Sequence, residues 1–180
     1  MEIRPAVMHD VDAIYRLLEH YAKEGLLLPR SHLSLYQSLQ CFSVAVDEHD
    51  QVLGAAALHI LGQGLAEVRS LAVDPGHRGQ GVGRALVEYV VALARRLEIG
   101  RVIALTYQTG FFDKCGFRII SKAALPQKVW KDCLNCHKFP VCDEVAMEIR
   151  PYRGTAAPGL EPEGEAEGGA EPIQPVFRLP

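Results

Sequence analysis

The sequence predicts an α/β (α+β) protein built on one mixed, mostly antiparallel central sheet flanked by helices. Three observations carry that prediction. Short β-branched runs alternate with polar hairpin turns in the first half of the chain. Between Leu65 and Leu105 a strand, a long amphipathic helix and another strand follow one another. Beyond Pro151 the composition changes and the periodic patterns stop. Hairpins pair strands antiparallel, whereas a strand–helix–strand crossing pairs them parallel. The expected organisation is therefore one domain over residues 1–150 and a tail over 151–180.

Each element has its own local reason. Ile3-Arg4-Pro5-Ala6 is expected to begin an edge strand, because Pro5 cannot donate to a ladder. Asp10 is the expected N-cap of a helix from Val11 to about Ala22, with Val11, Ile14, Leu17, Leu18 and Tyr21 as its buried face. Gly25 ends it, and Ser31 is the expected cap of a second helix near His32 to Gln40. Phe42 to Val46 and Val52 to Leu61 read as strands joined by the polar turn Asp47 to Gln51. The central strand starts at Leu65 and is closed by the turn signal Asp74-Pro75-Gly76.

Val82, Ala85, Leu86, Tyr89, Val90, Leu93, Ala94 and Leu97 then alternate steps of three and four, the stripe of a buried helix face. Gly100 is the expected break after it. Arg101 to Leu105 reads as a strand, Thr109 to Cys115 as a short helix and Phe117 to Ile120 as a strand. A less regular segment, Pro126 to Asp143, precedes a last strand from Glu144 to Ile149. Tyr152 to Pro175 is rich in Pro, Gly, Ala and Glu, so it cannot bury enough surface to offset ordering entropy and is expected to be disordered.

Charge and composition exclude several classes of function. A formal net charge of −3 gives no basic field for nucleic acid. The N-terminus lacks the apolar core of a signal peptide, and no apolar run reaches membrane-span length, so a cytoplasmic location away from membranes is expected. Five cysteines, an odd number, fit reduced thiols there better than a disulfide framework.

Between the central strand and the long helix lies His77-Arg-Gly-Gln-Gly-Val-Gly-Arg84. Glycines at Gly79, Gly81 and Gly83 remove side chains, so backbone N–H groups of the first helical turn can close on a bulky anion. The spacing differs from the dinucleotide fingerprint. It resembles the acetyl-CoA signature of GNAT-type N-acetyltransferases, Arg/Gln-x-x-Gly-x-Gly/Ala, met by Arg78, Gly81 and Gly83 after Leu71-Ala72-Val73-Asp74-Pro75. That resemblance implies a GNAT-like sheet. It also implies acetyl-CoA as cosubstrate, held by Leu71, Ala72, Val73, Arg78, Gly79, Gln80, Gly81, Val82, Gly83 and Arg84.

The likeness narrows further. Gly25-Leu-Leu-Leu-Pro-Arg-Ser31, Ala104 to Phe112 and Leu125 to Asp132 resemble the acetyltransferase domain of N-acetylglutamate synthases, above all the short form without an amino-acid-kinase domain. The implied enzyme is an acetyl-CoA-dependent amino-acid N-acetyltransferase that acetylates L-glutamate at the opening of arginine biosynthesis. Glutamate's two carboxylates require fixed cations. Arg30 stands where those synthases present a substrate arginine, and Lys128 and Lys131 lie in the segment that resembles the rest of the glutamate pocket. Lysine lacks the arginine fork, so the two lysines are expected to bind as point charges.

Strand alternation puts Glu67, Arg69, Leu71 and Val73 on one face and Val68, Ser70 and Ala72 on the other. Glu67 occupies the position at which several GNAT-type enzymes hold a general base; the competing reading is a rim ion pair with Arg69, and both stay open. Main-chain N–H groups near Leu71 to Val73 are then the expected oxyanion donors. Many relatives carry a tyrosine acid just before the turn matched here by Asp113-Lys-Cys-Gly-Phe117, but the residue is Phe112, so the acid is unassigned. Tyr107 is a candidate substitute, and water is another.

Cys133-x-x-Cys136-His137 with Cys142 has metal-ligand spacing. Adjacent Cys136 and His137 point apart in most backbones, so idle or buried thiols are the expectation and no metal is required. Cys41, Cys115 and Trp130 read as packing residues, and His77 as a solvated loop histidine. Two rivals to glutamate acetylation remain: acetyl transfer to another small amine or a protein N-terminus, and a non-catalytic sensor of acetyl-CoA or arginine. An oligomer is compatible with every reading.

Overall fold

The computed structural model describes residues 1–125 and 143–152. Within them lie β1 (Glu2–Pro5), α1 (Val11–Lys23), α2 (His32–Gln37), β2 (Phe42–Val46), β3 (Val52–Gly62), β4 (Leu65–Val73), α3 (Val82–Arg96), β5 (Arg101–Thr106), α4 (Thr109–Lys114), β6 (Arg118–Ile119) and β7 (Val145–Ile149). Among the described residues the strands form one sheet in the order β1-β2-β3-β4-β5-β7-β6. Every neighbouring pair is antiparallel except β4 and β5, the pair that α3 connects. The mixed, mostly antiparallel sheet expected from sequence is the sheet observed. No helix among these residues is long and apolar enough to cross a membrane.

The helices cover opposite faces. Val82, Leu86, Val87, Val90 and Ala94 of α3 pack on Ala56, Leu58, Ala66 and Val68 of β3 and β4. Val11, Ile14, Leu17, Leu18 and Tyr21 of α1, with Leu35 of α2, pack on Phe42, Val44, Ala55, Ala57 and Ala72. Each such aliphatic side chain contributes about 1.5–3 kcal/mol on burial. The sheet admits α3 closely at Gly54, where a β-carbon would lie 2.9 Å from the Ala72 carbonyl and 3.0 Å from Leu86 Cδ1.

Both long helices stop by the same device. After α1, Gly25 adopts φ +72°, and the N–H groups of Gly25 and Leu26 reach the carbonyls of Ala22 and Tyr21. After α3 that left-handed residue is Glu98 (φ 57°), not Gly100. The N–H groups of Glu98 and Ile99 bond Arg95 and Ala94, and Ile99 is buried in place of the exposed Leu97. The expected break at Gly100 and the inclusion of Leu97 in the stripe are therefore corrected.

Other expectations also shift. Asp10 does not cap α1. Its carboxylate accepts from Arg4 Nη1 at 2.7 Å and from the Val7 N–H at 2.8 Å, because a short 3-10 turn over Met8–Asp10 already enters the helix. Ser31 does cap α2, accepting from the Ser34 N–H at 3.1 Å, but the helix ends at Gln37 and a 3-10 turn follows. The strand expected over Phe117 to Ile120 shrinks to Arg118–Ile119, because Gly116 (φ +86°) and buried Phe117 close the end of α4. The irregular segment, the cysteine-rich motif and the tail lie outside the described residues.

Candidate active site

Two irregularities of β4 make the site. Its parallel pairing with β5 runs only from Leu65↔Arg101 to Glu67↔Ile103, after which the strands part. Against β3, Ala55 pairs with Ala72 and Ala57 with Arg69, so Ser70 and Leu71 together oppose Ala56. Ser70 takes φ 53°, the left-handed conformation of a β-bulge.

The bulge overturns the expected alternation. Glu67 and Arg69 share a face with Ala57 and Ala72, towards α1, whereas Leu71 and Val73 pack on the α3 side. An extra residue in one strand flips every side chain beyond it, and a period-two reading cannot see that flip.

Where β4 and β5 diverge a cavity of about 990 Å³ opens, lined by β4 from Glu67 to Val73 and by Leu105 to Gln108. It runs from the glycine-rich turn to Arg30. Of the expected cofactor residues, Leu71, Ala72, Val73, Arg78, Gly79, Gly81, Val82, Gly83 and Arg84 line it. Gln80 is not in the lining; its Nε2 donates to the Gly76 carbonyl at 3.1 Å and braces the turn. Gly79 (φ +77°) and Gly81 (φ +86°) hold left-handed conformations, and Gly81 is the N-cap of α3. Gly83 is an ordinary helical residue facing Val73 and Phe111. The first-turn N–H groups of a 15-residue helix therefore open onto the cavity, a suitable seat for a pyrophosphate.

Sequence reasoning did not mark Tyr21, because a tyrosine in the stripe of α1 reads as core. Its hydroxyl donates to the Val73 carbonyl and accepts from Arg78 Nε at 2.9 Å, and the Arg78 guanidinium lies 4.9 Å over its ring. One phenol thus ties the end of β4 to the basic residue of the glycine-rich turn. His77 pairs with Asp74, Nδ1 to Oδ1 at 3.0 Å, at the cavity edge.

The other end of the cavity carries charge of both signs. Glu67, 5% exposed, accepts from Arg69 Nε at 2.5 Å. Glu67 is buried, whereas the Arg69 side chain is half-buried at the cavity wall. Arg30 is held by α2, with Nη2 donating to Ser34 Oγ at 2.8 Å and Ser38 Oγ at 2.9 Å, and its guanidinium lies 5.8 Å over the Phe42 ring. Ser34 and Ser38 sit four residues apart along the α2 segment and meet one guanidinium. Lys128 and Lys131 lie outside the described residues.

Phe112 is buried edge-on against Phe117 and supplies no proton. Tyr107 lines the cavity. Cys115 lines it near Arg84, and burial pushes its thiol above the usual range. Cys41 packs against the α1-side core and Cys115 against the α3-side core, as expected. Among the described residues no three His, Cys, Asp or Glu side chains cluster as metal ligands. Cys133, Cys136, His137, Cys142 and Trp130 lie outside those residues.

Residues 11–117 match the Acetyltransferase (GNAT) family, a span from α1 to the glycine–phenylalanine turn after α4. The chain belongs to the GNAT acetyltransferase family. It is an acetyltransferase, with acetyl-CoA as acetyl donor. An uncharacterized N-acetyltransferase of Chlorobaculum tepidum is 42% identical over 145 residues, covering 81% of this chain and 93% of that protein. An amino-acid acetyltransferase of Mycobacterium tuberculosis is 36% identical over 143 residues, covering 78% of this chain and 82% of the relative. Among solved structures, Rv2747 from M. tuberculosis in complex with CoA and NLQ superposes with a TM-score of 0.73 at 31% identity, over 83% of this chain and 99% of that one. N-acetylglutamate synthase from Neisseria gonorrhoeae, complexed with coenzyme A and N-acetyl-glutamate, gives 0.76 at 28% identity over 84% of this chain. This GNAT chain spans 35% of that synthase chain.

Proposed function

We propose that this GNAT enzyme is an amino-acid N-acetyltransferase that acetylates the α-amino group of L-glutamate by direct attack within a ternary complex. One observation carries the reading: a single cavity joins the glycine-rich turn to an interior carboxylate and two arginines, Glu67, Arg69 and Arg30. A thioester bound along β4 thus shares its space with an acidic acceptor. The relatives named amino-acid acetyltransferase support the acceptor class, and the synthase bound to N-acetyl-glutamate supports the acid.

In this mechanism the N–H groups of the first turn of α3, with Arg78 and Arg84, hold the pyrophosphate. Glu67 takes the proton of the acceptor ammonium, directly or through water, since only the neutral amine attacks. The amine nitrogen forms its bond to the thioester carbonyl carbon, and the carbonyl oxygen gathers negative charge held by main-chain N–H groups of Leu71 to Val73. Collapse expels the coenzyme thiolate, and the proton that the attacking nitrogen must still shed passes to that thiolate, directly or relayed by water or Tyr107, since Phe112 cannot give one. Arg30 binds an acceptor carboxylate, and Lys128 and Lys131 are the further cations that the resemblance to the synthases implies. The setting that follows is arginine biosynthesis in the cytoplasm.

Thiol release from acetyl-CoA, measured with a panel of amino acids and small amines, tests the reading. Turnover is expected with L-glutamate. Absence of glutamate turnover from neutral to alkaline pH overturns it.

A further inference from the structure

We infer that Arg69 binds the α-carboxylate of the acceptor and is the residue that restricts this enzyme to α-amino acids, with Arg30 taking the distal carboxylate. The inference rests on the amino-acid acceptor proposed above. It starts from a lateral row across the sheet. Phe42 of β2 pairs with Ala57 of β3, and Ala57 pairs with Arg69 of β4, so the three residues share one face in register. Arg30 lies over the Phe42 ring, and Arg69 rises at the other end of the row. On this row the residue between them is Ala57, whose methyl is fully buried. Two strand spacings, about 10 Å, separate the backbones of Phe42 and Arg69, and the side chains of Arg30 and Arg69 both line the one cavity.

The acceptor's own connectivity sets its order. The carboxyl carbons of an extended glutamate lie about 5 Å apart across four C–C bonds, so each carboxylate calls for its own cation. The amine must lie beside Glu67 to lose its proton. The α-carboxylate is attached to the carbon that bears this amine, so it falls beside the cation nearest Glu67, and that cation is Arg69. An arginine presents its donors in a planar fork, so a bond through Nε to Glu67 is compatible with a carboxylate on the Nη edge. Arg30, fixed by Ser34 and Ser38 at the far end, is left for the side-chain carboxylate. Glutamate would meet matching charges at three points: ammonium at Glu67, α-carboxylate at Arg69, distal carboxylate at Arg30.

The bulge is part of the arrangement. Without it Arg69 and Leu71 would share a face. With it, the strand turns its apolar side towards α3 immediately after Arg69, and the ionic site stops at the point where the thioester channel begins.

A pair of acceptors isolates the role. L-glutamate and 4-aminobutyrate differ by the α-carboxylate alone; both keep an amine and a distal carboxylate. The preference for glutamate, as the ratio of the two kcat/KM values, is measured in the full chain and in Arg69→Gln and Arg69→Lys. Where 4-aminobutyrate turns over too slowly, its inhibition constant against glutamate replaces its kcat/KM. Losing a charge-assisted contact is expected to collapse the ratio about 10- to 100-fold in Arg69→Gln, mainly through KM, with partial rescue by Arg69→Lys. Coenzyme A affinity and the melting curve serve as controls for folding.

A ratio unchanged from wild type, with both acceptors slowed equally, overturns the inference and gives Arg69 no part in recognising the α-carboxylate. If wild type accepts another amino acid but not glutamate, glutamate fails as the acceptor while Arg69 is tested with that amino acid against its decarboxylated amine. Acceptance of no amino acid at all overturns both.

Discussion

Arg78 Nε donates to the phenol oxygen of Tyr21 at 2.9 Å, and the same hydroxyl donates to the Val73 carbonyl. A residue of α1 therefore sets the distance between the glycine-rich turn and the end of β4, the two walls that a coenzyme would bridge. Tyr21→Phe keeps the ring and removes the link. Coenzyme A binding is expected to weaken about 10-fold, the scale of one hydrogen bond to a charged group, with the fold intact. Calorimetric titration with coenzyme A measures it, and unchanged affinity would show that Arg78 is placed by the loop backbone alone.

The three glycines of the signature are not equivalent. Gly81 sits at φ +86°, where a β-carbon costs about 1–2 kcal/mol, and it is the N-cap whose conformation aims the first N–H groups. Gly83 is helical, and a β-carbon there meets Val73 Cγ2 at 3.4 Å and Phe111 at 3.5 Å, ordinary contacts. Gly81→Ala is expected to lower the melting temperature and coenzyme affinity. By contrast, Gly83→Ala should retain both and gain about 0.5–1 kcal/mol from the helical alanine. Equal losses in the two variants would contradict this division.

Glu67→Gln keeps the shape of the side chain and removes its capacity to take a proton. The expected result is a fall in kcat of about 10²–10⁴-fold, the usual contribution of a general base, with coenzyme A affinity preserved. Steady-state kinetics across pH check it. A variant with wild-type kcat would leave Glu67 only as a partner of Arg69.

Glu148 of β7 is a buried acid that takes no part in the proposed chemistry. Burial by itself would push its carboxyl up, but hydrogen bonds from Arg118 and Arg101, at 2.6 Å each, and the charges of Arg101 and Arg150 prevail and hold it below the usual range. A folded pKa below the unfolded one means that the stabilisation is complete above the unfolded value, about 4.3. It is lost as pH falls through the folded value. Wild type is thus expected to lose stability as pH drops below about 4.3. Glu148→Gln should lose about 1.5–3 kcal/mol at neutral pH and show a flatter acid limb. Denaturant unfolding at pH 7 and pH 4 distinguishes the two, and parallel pH profiles would refute the assignment.

Local chemistry makes much of this molecule legible in its sequence. The stripe of α1, the Ser31 cap, the hairpin around Asp47 and the order of strand, turn, glycines and helix depend on residues within a few positions of each other. The conformation of the glycine-rich turn is local too, and of the residues expected at the coenzyme all but Gln80 line the cavity. Asp10 misled because an N-cap residue type is also a good partner for an arginine, and Arg4 of the neighbouring strand reached it first. Glu98 was passed over because a left-handed C-terminal residue is expected to be glycine.

By itself, then, the sequence determined the elements, the mixed sheet and the glycine-rich turn, since periodicity, caps and glycines act over a few residues. Only the tertiary structure decided which side chains meet. The bulge at Ser70 moved Glu67 and Arg69 to the face opposite Leu71, and β2 and β3 set Arg30 across Ala57 from Arg69. Register between strands is a pairwise property of distant segments, and a one-residue slip in it reverses a face. No reading along a single strand contains that information.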